Sequence, residues 1–278
     1  MTGRLTLVGT PIGNLGDVSD RARRALAAAD VICAEDTRRT RKLLTAYDIH
    51  PPLLVSVREH NEQRQTARVL HWLAEGRAVA YVTDAGMPVL SDPGERLVRA
   101  VLAADGAVGV APGPDAATSA LLLSGLPAAR WCFEGFLPAK GRSRQQRIAA
   151  LAAEPRTAVL FEAPHRLLRT LAELAAVVGP DRPVAVANDL SKRYERVWRG
   201  PIGVVLAQFA GTEPRGEFVV VLGASAPQRG RKRRDDRLAA AGEDGLGVEL
   251  HALDGQPGVP QAHRQSAAGP GRDLQARR

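Results

Sequence analysis

The sequence is poor in cysteine and lacks long apolar segments. Its 278 residues include two cysteines, Cys33 and Cys132, which excludes a disulfide-stabilised secreted scaffold and a four-cysteine zinc site. No uncharged apolar run approaches the roughly 20 residues that a membrane span requires. The chain starts with a short apolar strand and shows no signal-peptide pattern. We therefore expect a soluble cytoplasmic protein with no membrane partner.

Lysine is also scarce, since only four of the 38 basic residues are lysine and arginine dominates the net charge of +8. Arginine suits planar, bidentate contacts with phosphate, but arginine richness beside abundant alanine and glycine is also typical of a biased genomic base composition. Composition leaves both interpretations open. The six histidines form no H-E-x-x-H motif or closely spaced ligand pair, and no G-x-S-x-G elbow occurs, which excludes metal and serine-hydrolase sites.

Apolar, β-branched runs alternate with amphipathic stretches in a first series. This series predicts strands at residues 4–9, 30–34, 53–57, 78–83 and 108–111, and helices near 17–29, 37–46, 61–75 and 94–104. Such alternation is typical of a mainly parallel sheet covered on both faces.

A second series of strands and helices follows from Leu126. It predicts strands at residues 131–136, 157–161, 183–187 and 217–222, with helices near 143–153 and 165–178. The fold class is therefore α/β, with domains at residues 1–115 and 116–224. Residues 225–278 are rich in Gly, Ala, Gln and Arg without periodicity, and we expect a disordered tail. Its basic run at 231–234 is more simply a solvated segment than an RNA contact.

Three loops rich in glycine and proline follow strands of the first series, at residues 9–16, 83–94 and 111–117. Because the carboxyl ends of parallel strands share one edge, we expect these loops to converge on a single cleft. Glycine lets backbone approach a ligand, and proline fixes the loop shape. A dinucleotide site is a weak alternative, because the spacing G-x-x-x-G-x-x-G differs from G-x-G-x-x-G and Pro11 removes an amide.

The motifs in these loops and beyond resemble a known family. They are Thr10-Pro-Ile-Gly-Asn-Leu15, Ala34-Glu-Asp-Thr-Arg38, Glu59-His-Asn61, Asp84-Ala-Gly-Met-Pro88, Ser91-Asp-Pro-Gly94, Pro112-Gly-Pro114, Phe133-Glu-Gly-Phe-Leu-Pro138 and Glu162-Ala-Pro-His-Arg166. In order, over residues 4–223, they are similar to the ribosomal RNA small-subunit methyltransferase I family of the tetrapyrrole-methylase superfamily. The resemblance implies two α/β domains with S-adenosylmethionine in the cleft between them. It also implies a homodimer and 2′-O-methylation of a cytidine in 16S rRNA at the decoding centre of the small ribosomal subunit.

The resemblance also assigns cofactor contacts, most of them through backbone atoms. They are Pro11, Gly13, Asp84, Ala85, Gly86, Met87, Leu90, Asp115, Ala116, Glu162 and Ala163. Members of the family usually carry Thr in place of Met87 and Ser in place of Asp115. We expect Asp115 to cap the following helix, although its charge would also attract a sulfonium.

A ribose 2′-hydroxyl needs a base before it can act as a nucleophile. The candidate catalytic residues are Asp36, Glu162, His165 and Lys192, with Glu35 and His60 as further candidate bases. Structural roles compete with these assignments: Asp36 is equally a helix N-cap, His165 could contact a phosphate, and Lys192 could orient the acceptor.

Two basic segments are candidate RNA contacts. Arg38, Arg39, Arg41 and Lys42 lie in the first turns of a predicted helix, where the helix dipole opposes positive charge unless phosphates compensate. The second segment contains Lys140, Arg142, Arg144 and Arg147. Solvated faces remain the alternative. Two other functions also remain open: a tetrapyrrole or precorrin methyltransferase, and a non-catalytic RNA-binding protein with the same fold.

Overall fold

The computed structural model describes residues 2–225, which form two five-stranded sheets and their covering helices. The strands are β1 Arg4–Val8, β2 Val31–Ala34, β3 Leu54–Ser56, β4 Ala78–Val82, β5 Ala107–Ala111, β6 Trp131–Phe136, β7 Thr157–Glu162, β8 Pro183–Asn188, β9 Arg196–Pro201 and β10 Phe218–Leu222. The α-helices are α1 Asp20–Ala27, α2 Thr37–Ala46, α3 Glu62–Ala74, α4 Glu95–Ala103, α5 Ala116–Ser124, α6 Gly141–Ala153, α7 Pro164–Val178 and α8 Ile202–Gln208. Short 3₁₀ helices span Leu15–Asp17 and Glu59–Asn61.

The first sheet is parallel throughout, in the order β3-β2-β4-β1-β5. Alternate residues of a strand enter the cores on opposite faces: Val31 and Cys33 pack on one side of the sheet, and Ile32 and Ala34 on the other. Burial on both faces explains why the strands read as continuous apolar runs. The α/β class and the parallel first sheet are confirmed.

The second sheet is mixed, in the order β6-β7-β10-β8-β9. Strands β6 and β7 are parallel, whereas β10 runs antiparallel to both β7 and β8, and β9 runs antiparallel to β8. A bulge between Phe133 and Gly135 shifts the register of β6. Strand β9 and helix α8 were not expected from the sequence.

The two-domain division stays a prediction, because both sheets belong to one compact unit. Helix α5 packs on the second sheet, where Ala117 and Leu121 join a core with strands β7, β8 and β10. Ser225 is hydrogen-bonded through its N–H to the Glu154 carbonyl; the rest of the expected tail, including its basic run, lies outside the described residues. Between residues 2 and 225, no helix combines the length and the apolar character needed to cross a membrane.

Candidate functional site

The three loops predicted to converge do meet at the carboxyl edge of the first sheet. Thr10 and Gly86 exchange backbone hydrogen bonds, with N–O distances of 2.9 and 3.1 Å. Gly9 donates its N–H to the Ala111 carbonyl at 3.0 Å. The buried Thr10 hydroxyl also donates to the Thr83 carbonyl. Backbone atoms therefore join the ends of β1, β4 and β5 directly.

Gly9 and Gly113 approach so closely that neither can carry a side chain. A Cβ on Gly9 would lie 2.6 Å from the Gly113 nitrogen and 2.7 Å from the Met87 sulfur. The Gly113 N–H lies 3.3 Å from that sulfur. Met87 thus packs against both loops. This packing does not require the hydroxyl of the threonine that members of the family usually carry at this position.

A cavity of about 360 Å³ opens where this edge faces the second sheet. On one side, the loops after β1, β4 and β5 and the start of α5 contribute Ile12, Ala85, Gly86, Met87, Leu90, Ser91, Asp92, Asp115 and Ala116 to its lining. On the other side, β6, β7, β10 and the segments next to them contribute Phe136, Phe161, Glu162, Ala163, Pro164, Gly216, Glu217, Phe218 and Val219. Leu90 and Phe136 leave 45% and 53% of their surface exposed there. A concave, mostly apolar pocket with a few polar groups is typical of a small-molecule site.

Most of the expected cofactor residues line this cavity, but three do not. Pro11 and Asp84 line a neighbouring pocket beneath helix α2, together with Arg39, Lys42 and Thr83. Gly13 instead lies against the side chain of Lys192, whose Cγ would be 2.4 Å from a Cβ at position 13. The remaining eight are Ala85, Gly86, Met87, Leu90, Asp115, Ala116, Glu162 and Ala163.

Carboxylates join the ends of β2 and β4 beside the cavity. Asp84 accepts a hydrogen bond from the Asp36 N–H at 3.0 Å, and Glu35 accepts one from the Asp84 N–H at 3.4 Å. Burial raises the pKa of Glu35, and the Asp84 carboxylate adds to the shift, although hydrogen bonding and the nearby Arg39 and Arg58 oppose it. Negative charge is therefore concentrated at this part of the edge.

Asp92 is a cavity residue that is absent from the candidates named from the sequence. It is half-buried, and burial raises its pKa to about 7, with the Glu35 and Asp84 carboxylates adding to the shift. The available signal was its position in the Ser91-Asp92-Pro93-Gly94 motif of the second Gly/Pro loop. That motif contributes to the resemblance, but nothing in it marks the acid as a base.

Glu162 is buried and belongs to a hydrogen-bonded network. It accepts a hydrogen bond from the Thr170 hydroxyl and from the Ala163 N–H, and it pairs with Arg166 at 3.2 Å. The Thr170 hydroxyl in turn accepts from Arg144, which pairs with Glu173 at 2.7 Å. Glu162 therefore fixes the junction of β7 and α7.

Arg144 corrects one of the predicted RNA contacts. Its side chain is 2% exposed, and its guanidinium is used by Glu173, Thr170 and the Pro138 carbonyl, so it is not available to RNA. The helical spacing indicates that Arg144 is buried, because it shares one face of α6 with the buried Ile148 and Leu151.

The other predicted catalytic residues surround the cavity without lining it. Asp36 is the N-cap of α2, and its hydrogen bonds with Arg38 lower its pKa to about 2. His165 is exposed in the first turn of α7, next to the lining residue Pro164. The Lys192 ammonium pairs with Asp189 at 2.7 Å and with Glu217 at 3.1 Å. Burial lowers the pKa of Lys192, but these two hydrogen bonds outweigh it and raise the pKa overall.

Both basic segments present exposed cations. Arg38 and Arg39 pair with Asp36 and Asp84, while Arg41 and Lys42 make no ion pair with any described residue. The second segment exposes Lys140, Arg142 and Arg147, and Arg147 pairs with Glu134 at 2.6 Å. Among the described residues, no group of three or more His, Cys, Asp or Glu is placed to hold a metal ion.

Comparison with known proteins identifies the family. The model of the tetrapyrrole (corrin/porphyrin) methylases matches residues 4–205. Proteins named ribosomal RNA small subunit methyltransferase I are 45% identical in Xylella fastidiosa, covering 84% of this chain and 86% of the relative, and 46% identical in Synechocystis, covering 90% and 87%. The Escherichia coli O157:H7 protein of that name is 42% identical, covering 86% and 82%. This chain belongs to the ribosomal RNA small subunit methyltransferase I family.

Membership of the ribosomal RNA small subunit methyltransferase I family confirms the resemblance found in the loops, and with it the prediction of a methyltransferase. Solved structures agree on the fold. A uroporphyrin-III C-methyltransferase from Thermus thermophilus, complexed with S-adenosylhomocysteine, has a TM-score of 0.56 at 23% identity, covering 80% of this chain and 97% of its own. A cobalt precorrin-4 methyltransferase has a TM-score of 0.60 at 16% identity, covering 80% and 95%.

Proposed function

We propose that this protein transfers a methyl group from S-adenosylmethionine to the ribose 2′-oxygen of a cytidine in 16S rRNA of the small ribosomal subunit, at the decoding centre. The cavity formed by the converging loops and the β7–α7 junction carries the proposal, because it lies where the family is expected to hold its methyl donor. Membership of a family whose named relatives act on small-subunit rRNA supports the choice of acceptor.

The residues of the cavity fit S-adenosylmethionine. Gly86 has a φ of +77°, which residues with a side chain rarely adopt, and as a lining residue without a side chain it leaves its backbone open to a ligand. Leu90 and Phe136 offer apolar surface to an adenine ring, and the cavity carboxylates favour a cationic sulfonium. We assign the donor contacts to the eight predicted residues that line the cavity: Ala85, Gly86, Met87, Leu90, Asp115, Ala116, Glu162 and Ala163.

When bound, S-adenosylmethionine supplies an activated methyl group for in-line displacement. The chain has to hold the acceptor oxygen in line with that group and remove its proton. We assign the holding of the acceptor to Lys192 and His165. Lys192 pairs with Glu217 of the cavity wall, which helps to raise its pKa and keep it protonated, and His165 is exposed next to the lining residue Pro164. We propose that both orient the nucleotide or its phosphates.

Asp36 and Glu162 suit positioning rather than proton removal. The pKa of Asp36 lies far below neutral pH, so its carboxylate is a weak base. Both carboxylate oxygens of Glu162 are already engaged, since they pair with Arg166 and accept hydrogen bonds from the Thr170 hydroxyl and the Ala163 N–H. In this proposal Asp36 fixes the start of α2, and Glu162 fixes the wall of the cavity.

The RNA is proposed to lie across the exposed cations of both basic segments. Arg39 and Lys42 line the pocket beneath α2, and Arg38 and Arg41 are exposed on the same helix. Lys140 and Arg142 lie at the start of α6. Phosphates would compensate the unfavourable placement of cations at both helix starts.

A homodimer is also part of the proposal. Leu122 is 79% exposed and Leu123 is 36% exposed, and both border a pocket whose lining also includes Leu190, Ser191 and Glu195. Exposed apolar side chains grouped in this way are typical of an interface. Light scattering on the purified chain tests the assembly, and a monomer at micromolar concentration would contradict it.

A labelled-methyl assay tests the reaction. We expect the enzyme to label small subunits isolated from cells that lack the modification, at one cytidine, with the methyl group on the ribose. Label on the base, label in a precorrin-type substrate instead of RNA, or RNA binding without S-adenosylhomocysteine binding would each contradict the proposal. The last two outcomes correspond to the tetrapyrrole methyltransferase and the non-catalytic RNA-binding protein.

A further inference from the structure

Four carboxylates line the cavity, and three of them are already engaged. Asp115 accepts hydrogen bonds from Thr118, and Glu217 pairs with Lys192 at 3.1 Å. Glu162 is held by its network at the β7–α7 junction. Asp92 alone makes neither a hydrogen bond nor an ion pair through its carboxylate with any of residues 2–225. Its oxygens are therefore free to accept a proton from a bound molecule.

The loop that carries Asp92 is held in a restricted conformation. Val89 and Ser91 have φ values of 78° and 65°, which side-chain-bearing residues rarely adopt and which are especially unfavourable for valine. The following Pro93 limits the backbone of Asp92 to extended conformations. Across the cavity, the bulge of β6 meets this loop, since a Cβ on Gly135 would lie 2.8 Å from the Ser91 hydroxyl.

We propose that Asp92 is the general base that removes the proton from the acceptor ribose hydroxyl, an inference that rests on the proposed function. The oxygen–carbon bond forms with an electron pair of the hydroxyl oxygen, and the carbon–sulfur bond of the donor breaks with its pair returning to sulfur. The hydroxyl proton passes to an Asp92 oxygen and later to solvent. Because the Asp92 carboxylate makes no structural contact among the described residues, it can take up the proton that the reaction releases.

The electrostatic surroundings support this role. Glu35 from the end of β2 and Asp84 from the end of β4 face Asp92, and their negative charges disfavour its ionisation. The buried Tyr81 of β4 is a neutral neighbour, and Asp92 contributes to its raised pKa. The nearby cations Arg39 and Arg58 act mainly on Glu35 and Asp84. With a pKa of about 7, Asp92 is a stronger base than an ordinary aspartate and is still ionised in a large fraction at neutral pH.

The test compares Asp92→Asn with Asp105→Asn. Asp105 lies in the exposed turn before β5, at the opposite edge of the sheet, with a φ of 51° that asparagine tolerates. We expect Asp92→Asn to lower kcat about 100-fold or more with KM for the subunit little changed, and to abolish the rise of kcat with pH near 7. Asp92→Glu should recover part of the rate. Calorimetry with S-adenosylhomocysteine should give the same Kd for wild type, Asp92→Asn and Asp105→Asn.

A second readout needs no activity. Because the pKa of Asp92 in the folded state lies above its ordinary value of 3.8, its favourable contribution to folding is complete at low pH and is lost as the pH rises through about 7. The Tm of Asp92→Asn relative to wild type should therefore be higher at pH 8 than at pH 5. A pH-independent difference would contradict a half-buried carboxylate with a raised pKa.

The outcomes separate this inference from the proposed function. If wild type methylates the ribose but Asp92→Asn retains its kcat and pH profile, Asp92 is not the base. The same conclusion follows if Asp92→Asn weakens S-adenosylhomocysteine binding while leaving kcat at saturation unchanged. If wild type itself fails to methylate small subunits, the proposed function falls, and the inference falls with it.

Discussion

The two walls of the cavity are built on different principles. The wall from the first sheet consists of backbone joined to backbone, as in the Thr10–Gly86 bridge and the contact of Gly9 with Gly113. The wall from the second sheet depends on buried charged side chains, above all Glu162 and Arg144. The parallel ends of β1, β4 and β5 bring their main chains into direct contact, whereas the segment after the edge strand β6 has no sheet neighbour to hold it.

Two guanidiniums supply that support for the second wall. Arg166 donates to the Leu137 carbonyl at 2.6 Å, and Arg144 donates to the Pro138 carbonyl at 3.1 Å. Both side chains are anchored by carboxylates, Glu162 for Arg166 and Glu173 for Arg144. Side-chain replacements should therefore cost little stability in the first wall and much more in the second.

The largest expected effect is that of Arg144→Met. Methionine fills a similar volume but removes the donor to the Thr170 hydroxyl, one of the two donors to Glu173 and the shorter of the two hydrogen bonds to the Pro138 carbonyl. We therefore expect a loss of about 3 kcal/mol in the free energy of unfolding. Urea denaturation measures it. Arg142→Met, two residues away and exposed, is the matched control and should stay within about 0.5 kcal/mol of wild type. Equal effects of the two replacements would remove the distinction between the walls.

The next largest effect tests the backbone wall through Gly9→Ala. The added methyl overlaps Gly113, and we expect a loss of about 2 kcal/mol in stability together with at least a tenfold weaker affinity for S-adenosylhomocysteine. Met87→Ala alone should cost less. The double variant Gly9→Ala, Met87→Ala removes the sulfur but leaves the clash with the Gly113 backbone. Full recovery in the double variant would show that a side chain, and not the main chain, determines the contact.

This contrast also explains what could be read from the sequence. The backbone wall was predictable because glycine, proline and the ends of parallel strands carry strong local signals, and the loops at residues 9–16, 83–94 and 111–117 do converge. Strand β9 gave little signal, since its sequence Arg-Val-Trp-Arg-Gly-Pro lies at the edge of the second sheet, where few residues are buried. Helix α8 has only seven residues, too few to establish a helical period.

The second wall was harder to predict because its charges look like surface charges. Arg144 lies among exposed cations, and only its spacing to Ile148 and Leu151 marks it as buried. Asp92, in the first wall, lies in a motif shared with the family, but its raised pKa depends on burial and on the carboxylates of Glu35 and Asp84. Such long-range arrangement leaves no local pattern.

A smaller effect concerns the exposed cations of α2. Replacing Arg38, Arg39 and Arg41 with Gln should weaken binding to rRNA about tenfold at low salt and reduce the salt dependence of the affinity, because fewer counterions are released. Affinity for S-adenosylhomocysteine should not change. The matched control replaces the exposed Arg4, Arg24 and Arg77 with Gln, which removes the same charge at the opposite, amino edge of the sheet. An unchanged salt slope in the α2 variant would refute the assignment, and so would an equal change in the control.

The smallest expected effect is that of replacing Asp115, a charged residue of the first wall. Two replacements distinguish its role as a helix cap from an electrostatic role toward the methyl donor. As the N-cap of α5, its carboxylate accepts the Thr118 N–H at 2.6 Å. Asp115→Ala should therefore cost about 1 kcal/mol of stability, whereas Asp115→Asn keeps an acceptor and should cost little. The asparagine variant removes only the charge, so it isolates the electrostatic role. If Asp115 acts only as a cap, this variant binds S-adenosylmethionine and S-adenosylhomocysteine as wild type does. A selective loss of affinity for the cationic donor, with the neutral product unaffected, would instead show that the charge attracts the sulfonium, so that donor binding at the first wall depends on a side chain as well as on backbone.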